Sequence, residues 1–141
     1  MMDTASPAPP PPVLVLVVDD DAVNRLLASE MVRLLGYAVA LASSAAEAIE
    51  ACLAEAPAIV LMDMSMPGVT GVQATRELRR RQAAGEMPRF SIVALTAHSG
   101  RAEEEECRAA GMDAYLTKPL MLAQLKAVLS RLAERPEASP P

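Results

Sequence analysis

Two apolar runs in this chain end abruptly on acid: Val13-Leu14-Val15-Leu16-Val17-Val18 meets Asp19-Asp20, and Ala58-Ile59-Val60-Leu61-Met62 meets Asp63. Short apolar runs rich in β-branched residues suit parallel strands buried on both faces. The C-terminal ends of such strands share one sheet edge, where open α/β sheets place their binding crevices. Three carboxylates are therefore expected to converge there. Carboxylates held close together raise one another's pKa and cost folding energy unless a cation sits among them. The bare sequence thus predicts a metal site.

Around these runs the hydrophobic period alternates between strand-like and helix-like. Strands are predicted at residues 13–18, 37–41, 58–62, 90–95 and 113–116, and helices at 23–35, 45–56, 71–84, 102–110 and 120–133. The first four helices stop at Gly36, Pro57, Gly85 and Gly111. Ser44-Ala45-Ala46-Glu47 has the spacing of a capping box and marks a helix start. Repeated βα units imply a parallel sheet. Right-handed crossovers then leave a doubly wound, five-stranded α/β sheet in the order 2-1-3-4-5 as the expected architecture. That order makes strands 1 and 3 neighbours and brings Asp19, Asp20 and Asp63 to one pocket.

With 141 residues, 52% of them hydrophobic, one domain is expected. It is placed at 13–134, between a Pro-rich disordered flank at 1–12 and a disordered tail at 135–141. The paired Met1-Met2 hints at a start placed before a segment cut from a longer protein. Aromatic residues are nearly absent, so the core must be aliphatic and Ala-rich. A net charge of −5 supplies no basic field for a phosphate backbone, which argues against nucleic acid as a partner. No apolar run approaches the ~20 residues of a membrane span, and the N-terminus lacks signal-peptide features. Cys52 and Cys107 have no metal-ligand spacing and read as two ordinary thiols of a reducing cytoplasm.

The remaining strand ends carry Thr96, Tyr115 and Lys118, with Pro119 directly after the lysine. A carboxylate that attacks a phosphoryl group needs its repulsion with the incoming oxygens offset, and a divalent cation with a lysine does so. An all-oxygen site suits Mg²⁺. The set is therefore sufficient for aspartyl phosphorylation.

From Val13 to about Ala133 the chain resembles the receiver domain of two-component response regulators, with its flavodoxin-like fold. The resemblance rests on Val17-Val18-Asp19-Asp20-Asp21, Asp63-Met64-Ser65-Met66-Pro67-Gly68, Leu95-Thr96-Ala97 and Lys118-Pro119 occurring in this order. It implies that Asp63 is the phosphoacceptor and that Asp20, Asp63 and the Ser65 carbonyl ligate Mg²⁺, Asp19 acting through the metal's water shell. Lys118 would pair with the acceptor or phosphoryl oxygens, and the Thr96 hydroxyl would bond the phosphoryl group. Tyr115 would report phosphorylation to the surface of helix 4, strand 5 and helix 5, and the Lys118-Pro119 bond would be cis. Ser65, where the family often has Asn, and His98 would tune phosphoryl loss. Val23-Asn24-Arg25 and Leu95-Thr96-Ala97-His98 are similar to the receivers of hybrid histidine kinases.

Blander readings exist for single residues. Asp19 and Asp20 would serve as caps for the first helix, Lys118 as a solvated lysine, Tyr115 as a strand aromatic, His98 as a surface residue and Glu103 to Glu106 as a solvated face. None explains why acids, hydroxyl and ammonium recur at successive strand ends. The expected function is a receiver that takes one phosphoryl group from a histidine kinase or histidine phosphotransfer protein and then changes its protein contacts, including a receiver homodimer. No output domain is expected within the chain. A small aspartate-nucleophile phosphatase would instead turn over a phosphoester, and a docking module that had lost phosphorylation would not need these residues.

Overall fold

The computed structural model describes residues 12–134. The flank and tail expected at 1–12 and 135–141 lie, apart from exposed Pro12, outside the described residues. Five strands alternate with five helices: β1 (Leu14–Val18), α1 (Ala22–Leu34), β2 (Ala38–Ala42), α2 (Ala45–Ala54), β3 (Ile59–Asp63), α3 (Gly71–Ala83), β4 (Ser91–Thr96), α4 (Arg101–Ala110), β5 (Ala114–Thr117) and α5 (Leu122–Glu134). All neighbouring strands pair in parallel in the order β2-β1-β3-β4-β5, as the alternation predicts.

Strand periodicity divides the core into two. Leu16, Val18, Val60, Met62, Ile92 and Ala94 point to the face covered by α2, α3 and α4. Val15, Val17, Ile59, Leu61, Val93 and Leu95 point to the face covered by α1 and α5. The central strands are apolar throughout because neither face meets water. Leu125 and Leu129 of α5 are fully buried against the second face, each worth roughly 2 kcal/mol of apolar burial.

Local chemistry sets the helix ends. Ser44 accepts from the Glu47 amide at 3.2 Å, as the capping box requires, but the Glu47 carboxylate reaches back to the amide of Ser43 at 2.7 Å. A reciprocal box that sequence spacing did not flag opens α3, where Thr70 and Gln73 cap each other. The fifth helix starts at Leu122 and not at 120, because Leu120 belongs to the turn out of β5 and packs into the α1/α5 core.

At the N-terminal edge of β4, Arg79 fastens three segments. Its guanidinium donates to the carbonyls of Phe90 (2.8 Å) and Gly111 (2.9 Å) and to Asp113 (2.8 Å), whose carboxylate also accepts the Ile92 amide at 2.8 Å. At the opposite edge, Gly71 lets α3 approach the end of β3. A Cβ there would collide with the main-chain carbonyl oxygen of Asp63 and lie 3.0 Å from the Met64 Cα. Backbone atoms cannot swing aside as a long side chain would. Gly71→Ala is therefore expected to lower stability by about 2 kcal/mol through overpacking, read as a lower denaturant midpoint; an unchanged midpoint would show that the α3 start has room to shift.

Candidate metal and phosphoacceptor site

Register assembles the site. Val18 pairs with Met62, Asp63 with Leu95 and Thr96 with Thr117, so Asp19 just past β1, Asp63 and Thr96 at the ends of β3 and β4, and Lys118 just past β5 emerge on one edge. Carboxylate oxygens of Asp19, Asp20 and Asp63 all lie within 4.8 Å of one another. Asp19 and Asp63 are each 2% exposed, whereas Asp20 is open to solvent. Lys118 Nζ donates to Asp63 Oδ1 at 3.1 Å and to Asp19 Oδ2 at 3.3 Å. The Ser65 amide donates to the same Asp63 oxygen at 3.1 Å.

Two buried acids and one exposed acid against one ammonium leave the pocket net negative. Burial is the main cause that raises the Asp19 pKa, with the Asp63 charge adding to it; the Asp21 amide and Lys118 oppose the rise. For Lys118, burial works against the charged form. The hydrogen bond and charge of Asp63, aided by Asp19, more than compensate, and its pKa is raised. The lysine is thus held as an ammonium. The donor set, three carboxylates with only oxygen to offer, fits a small hard dication.

The capping role considered for Asp19 and Asp20 falls instead to Asp21, whose Oδ1 accepts the Asn24 amide at 3.0 Å. Asp19 Oδ1 accepts from the Asp21 amide at 2.9 Å. Thr96 is 5% exposed, and its hydroxyl donates to the His98 carbonyl at 3.1 Å and accepts from the His98 amide at 3.2 Å. The imidazole of His98 belongs to an exposed residue. Ser65, Thr96 and His98 line one cavity of about 360 Å³ with Glu103 and Glu106 of α4. Tyr115 is half-buried, away from the acids, and lines a cavity of about 300 Å³ between α4, β5 and α5. The Lys118–Pro119 peptide is cis.

Three features were missed in the sequence. Gly71 was read only as a helix start. Arg25 Nη1 donates to the Asp19 carbonyl at 2.7 Å. Val23, Leu26 and Leu27 of α1 are more than half exposed, and their signal was available: they lie off the helix face that buries Ala28 and Val32, where an amphipathic helix would place polar residues.

A raised carboxylate pKa means that the folded state holds the Asp19 proton more tightly than the unfolded chain, so stability falls as pH rises through this range. Relative to Asp19→Asn, the metal-free wild type is expected to lose stability as pH rises from the ordinary carboxylate value of 3.8 toward neutrality. Chemical denaturation at a series of pH values reads this; a difference that is flat or grows in favour of the wild type contradicts it.

The model of the response regulator receiver domain matches residues 15–130. The sensor protein GacS of Pseudomonas syringae pv. syringae is 39% identical over 111 residues, which are 79% of this chain and 12% of that protein. The curated relatives are far longer, the chain spanning between 5% and 15% of their length. Among solved structures, the receiver domain of the sensor histidine kinase PA1611 from Pseudomonas aeruginosa PAO1, with a magnesium ion coordinated in its active site cleft, is 34% identical. Its TM-score is 0.77, and the likeness covers 88% of this chain and 99% of that one. The receiver domain of the histidine kinase CKI1 from Arabidopsis thaliana, complexed with Mg²⁺ and BeF₃⁻, is 30% identical with a TM-score of 0.76, covering 87% of this chain and 91% of that one. From the acids at the ends of β1 and β3 to the lysine after β5, and across most of its length, this chain belongs to the response regulator receiver domain family, the signalling modules of two-component systems.

Proposed function

We propose that this receiver accepts a phosphoryl group on Asp63 from a phosphohistidine donor, in a step that depends on Mg²⁺ held by Asp20, Asp63 and the Ser65 carbonyl, with Asp19 acting through the metal's water. The observation that carries the reading is the Lys118 ammonium bridging Asp63 and Asp19 beside an exposed third acid. Asp63 Oδ1 already accepts from Lys118 and Ser65, while Oδ2 has no hydrogen bond among the described residues and is the oxygen left to attack phosphorus. As the P–O bond to Asp63 forms, the P–N bond of the donor breaks and its electron pair leaves on the imidazole nitrogen. A bound Mg²⁺ supplies charge that offsets both the acids and the phosphoryl oxygens.

Lys118 holds Asp63 in line and then neutralises a phosphoryl oxygen. The Thr96 hydroxyl leaves His98 to bond the phosphoryl group, and Tyr115 moves with it, changing the surface of α4, β5 and α5 by biasing two arrangements. Ser65 and His98 border the approach of water and set the phosphoryl lifetime. The receiver makes and breaks only its own aspartyl phosphate, and its output passes through protein contacts, a receiver homodimer among them, without nucleic acid. Two unpaired buried thiols, Cys52 and Cys107, suit a cytoplasmic setting. Among the described residues no helix is long and apolar enough to cross a membrane.

For the donor, a histidine kinase or histidine phosphotransfer protein, the docking surface we assign is α1. Val23, Leu26 and Leu27 are exposed there, as are Met121 and Leu122. Between them a mostly apolar cavity of about 270 Å³, lined by Leu27, Met31, Pro119 and Leu120, reaches Asp19 and Lys118. A partner seated on this apolar rim would present its phosphohistidine at the acidic edge.

Acetyl phosphate with Mg²⁺ should label the wild type with one phosphoryl group per chain, and Asp63→Asn should take up none; equal labelling of the two removes Asp63 as the acceptor. Leu27→Asp is expected to slow transfer from a phosphohistidine protein by about tenfold, the equivalent of ~1.4 kcal/mol, while labelling by acetyl phosphate keeps its rate. Equal slowing of both would place Leu27 in the chemistry and not in docking.

A further inference from the structure

A guanidinium sits at the acidic turn without a part in the function above. Arg25 lies in the first turn of α1, which starts at Ala22, and that turn contains no acidic residue. Helix starts favour acids, because the macrodipole places positive potential there; a cation is disfavoured. A residue that breaks a local rule is expected to serve something outside its own element.

What Arg25 serves is the main chain of Asp19. The Asp19 amide donates to the Ala42 carbonyl at 3.1 Å. Its carboxylate accepts from the Asp21 amide at 2.9 Å and from Lys118 at 3.3 Å. The remaining polar group is the carbonyl, which Arg25 takes at 2.7 Å. Every polar group of Asp19 is thereby tied. Asp20 is the opposite case, exposed and without a side-chain hydrogen bond among the described residues. The two are joined by the peptide plane whose oxygen Arg25 grips, so the grip sets the direction in which Asp20 leaves the turn.

The charge of Arg25 is also felt at the next loop. The pKa of Glu47, at the start of α2, is lowered first by its hydrogen bonds from Ser43 and also by the charge of Arg25. Glu47 accepts from both the amide and the hydroxyl of Ser43 at 2.7 Å, and Ser43 follows the Ala42 that receives the Asp19 amide. Arg25 is thus bonded to the turn after β1, and its charge acts on the turn after β2.

We propose that Arg25 is a positioning residue for the cation site: by fixing the Asp19–Asp20 peptide it holds Asp20 ready to ligate, so that Mg²⁺ does not have to order the turn when it binds. Arg25 itself touches neither cation nor phosphoryl group. The proposal rests on the reading of Asp19, Asp20 and Asp63 as a Mg²⁺ site. Outer residues that orient ligands in this way typically change metal affinity by about 10- to 100-fold.

The test is a calorimetric Mg²⁺ titration of the wild type, Arg25→Ala, Arg25→Lys and Asp20→Ala, with thermal unfolding to show that each is folded. Arg25→Ala is expected to weaken Mg²⁺ binding by about tenfold, and Arg25→Lys, which keeps a donor and a charge, to recover part of the loss. At saturating Mg²⁺ the rate of Asp63 labelling by acetyl phosphate should match the wild type, with only the half-saturating Mg²⁺ concentration raised. A residue that merely stabilises the fold would lower the unfolding midpoint and leave the affinity alone. Binding retained in Arg25→Ala but lost in Asp20→Ala overturns the role of Arg25 and leaves the site standing. A wild type that binds no Mg²⁺ overturns the site, and the role of Arg25 with it.

Discussion

The structure turns on one ammonium group. Lys118 reaches from the end of β5 to Asp63 at the end of β3 and Asp19 at the end of β1, joining three of the five strands through charge-assisted hydrogen bonds. Without it, two nearly buried carboxylates would face each other and the exposed Asp20 at close range, with nothing positive between them. Buried charge of one sign is costly unless paired. Everything else at this edge is arranged so that the lysine arrives there: the parallel register, the short turn through Pro119, and the apolar strands that force the chain to end on its polar residues together.

Much of this was legible in the sequence, because the signals were physical and redundant. Five short apolar runs separated by helical stretches leave little freedom in a parallel sheet, and crossover geometry reduces the strand orders to a few, among which the family resemblance points to 2-1-3-4-5. The convergence of Asp19, Asp20 and Asp63 required only that β1 and β3 be neighbours, and they are. Boundaries were harder. Leu120 looks helical by period but packs as a turn residue, since tertiary burial outweighs propensity. The capping acid, Asp21, was not singled out within a run of three, as the side chain that meets a free amide depends on a backbone angle that residue identity does not set. The tie from Arg25 to a carbonyl and the approach of α3 over Gly71 leave no pattern along the chain, because each involves main-chain atoms of residues whose names are irrelevant to the contact.

The Thr96 hydroxyl offers a measure of how finely the proposed switch would be balanced. In this structure its partners are both backbone groups of His98, two neutral hydrogen bonds of about 1 kcal/mol each. A charged oxygen accepting from the same hydroxyl would gain roughly twice as much. The difference is on the scale of thermal redistribution, so neither arrangement excludes the other, and a partner that prefers one of them can shift the population appreciably.

The Arg79 clasp lies at the far edge of the sheet from the acids. It joins α3, the start of β4 and the turn before β5 through carbonyls and Asp113, and none of its groups belongs to the reactive pocket. The Arg79 clasp and the acidic pocket, which Lys118 itself ties together, thus lie at opposite ends of the same strands. Substitutions in the clasp and substitutions at the acids share no hydrogen-bond partner among the described residues, so their effects on stability are expected to add.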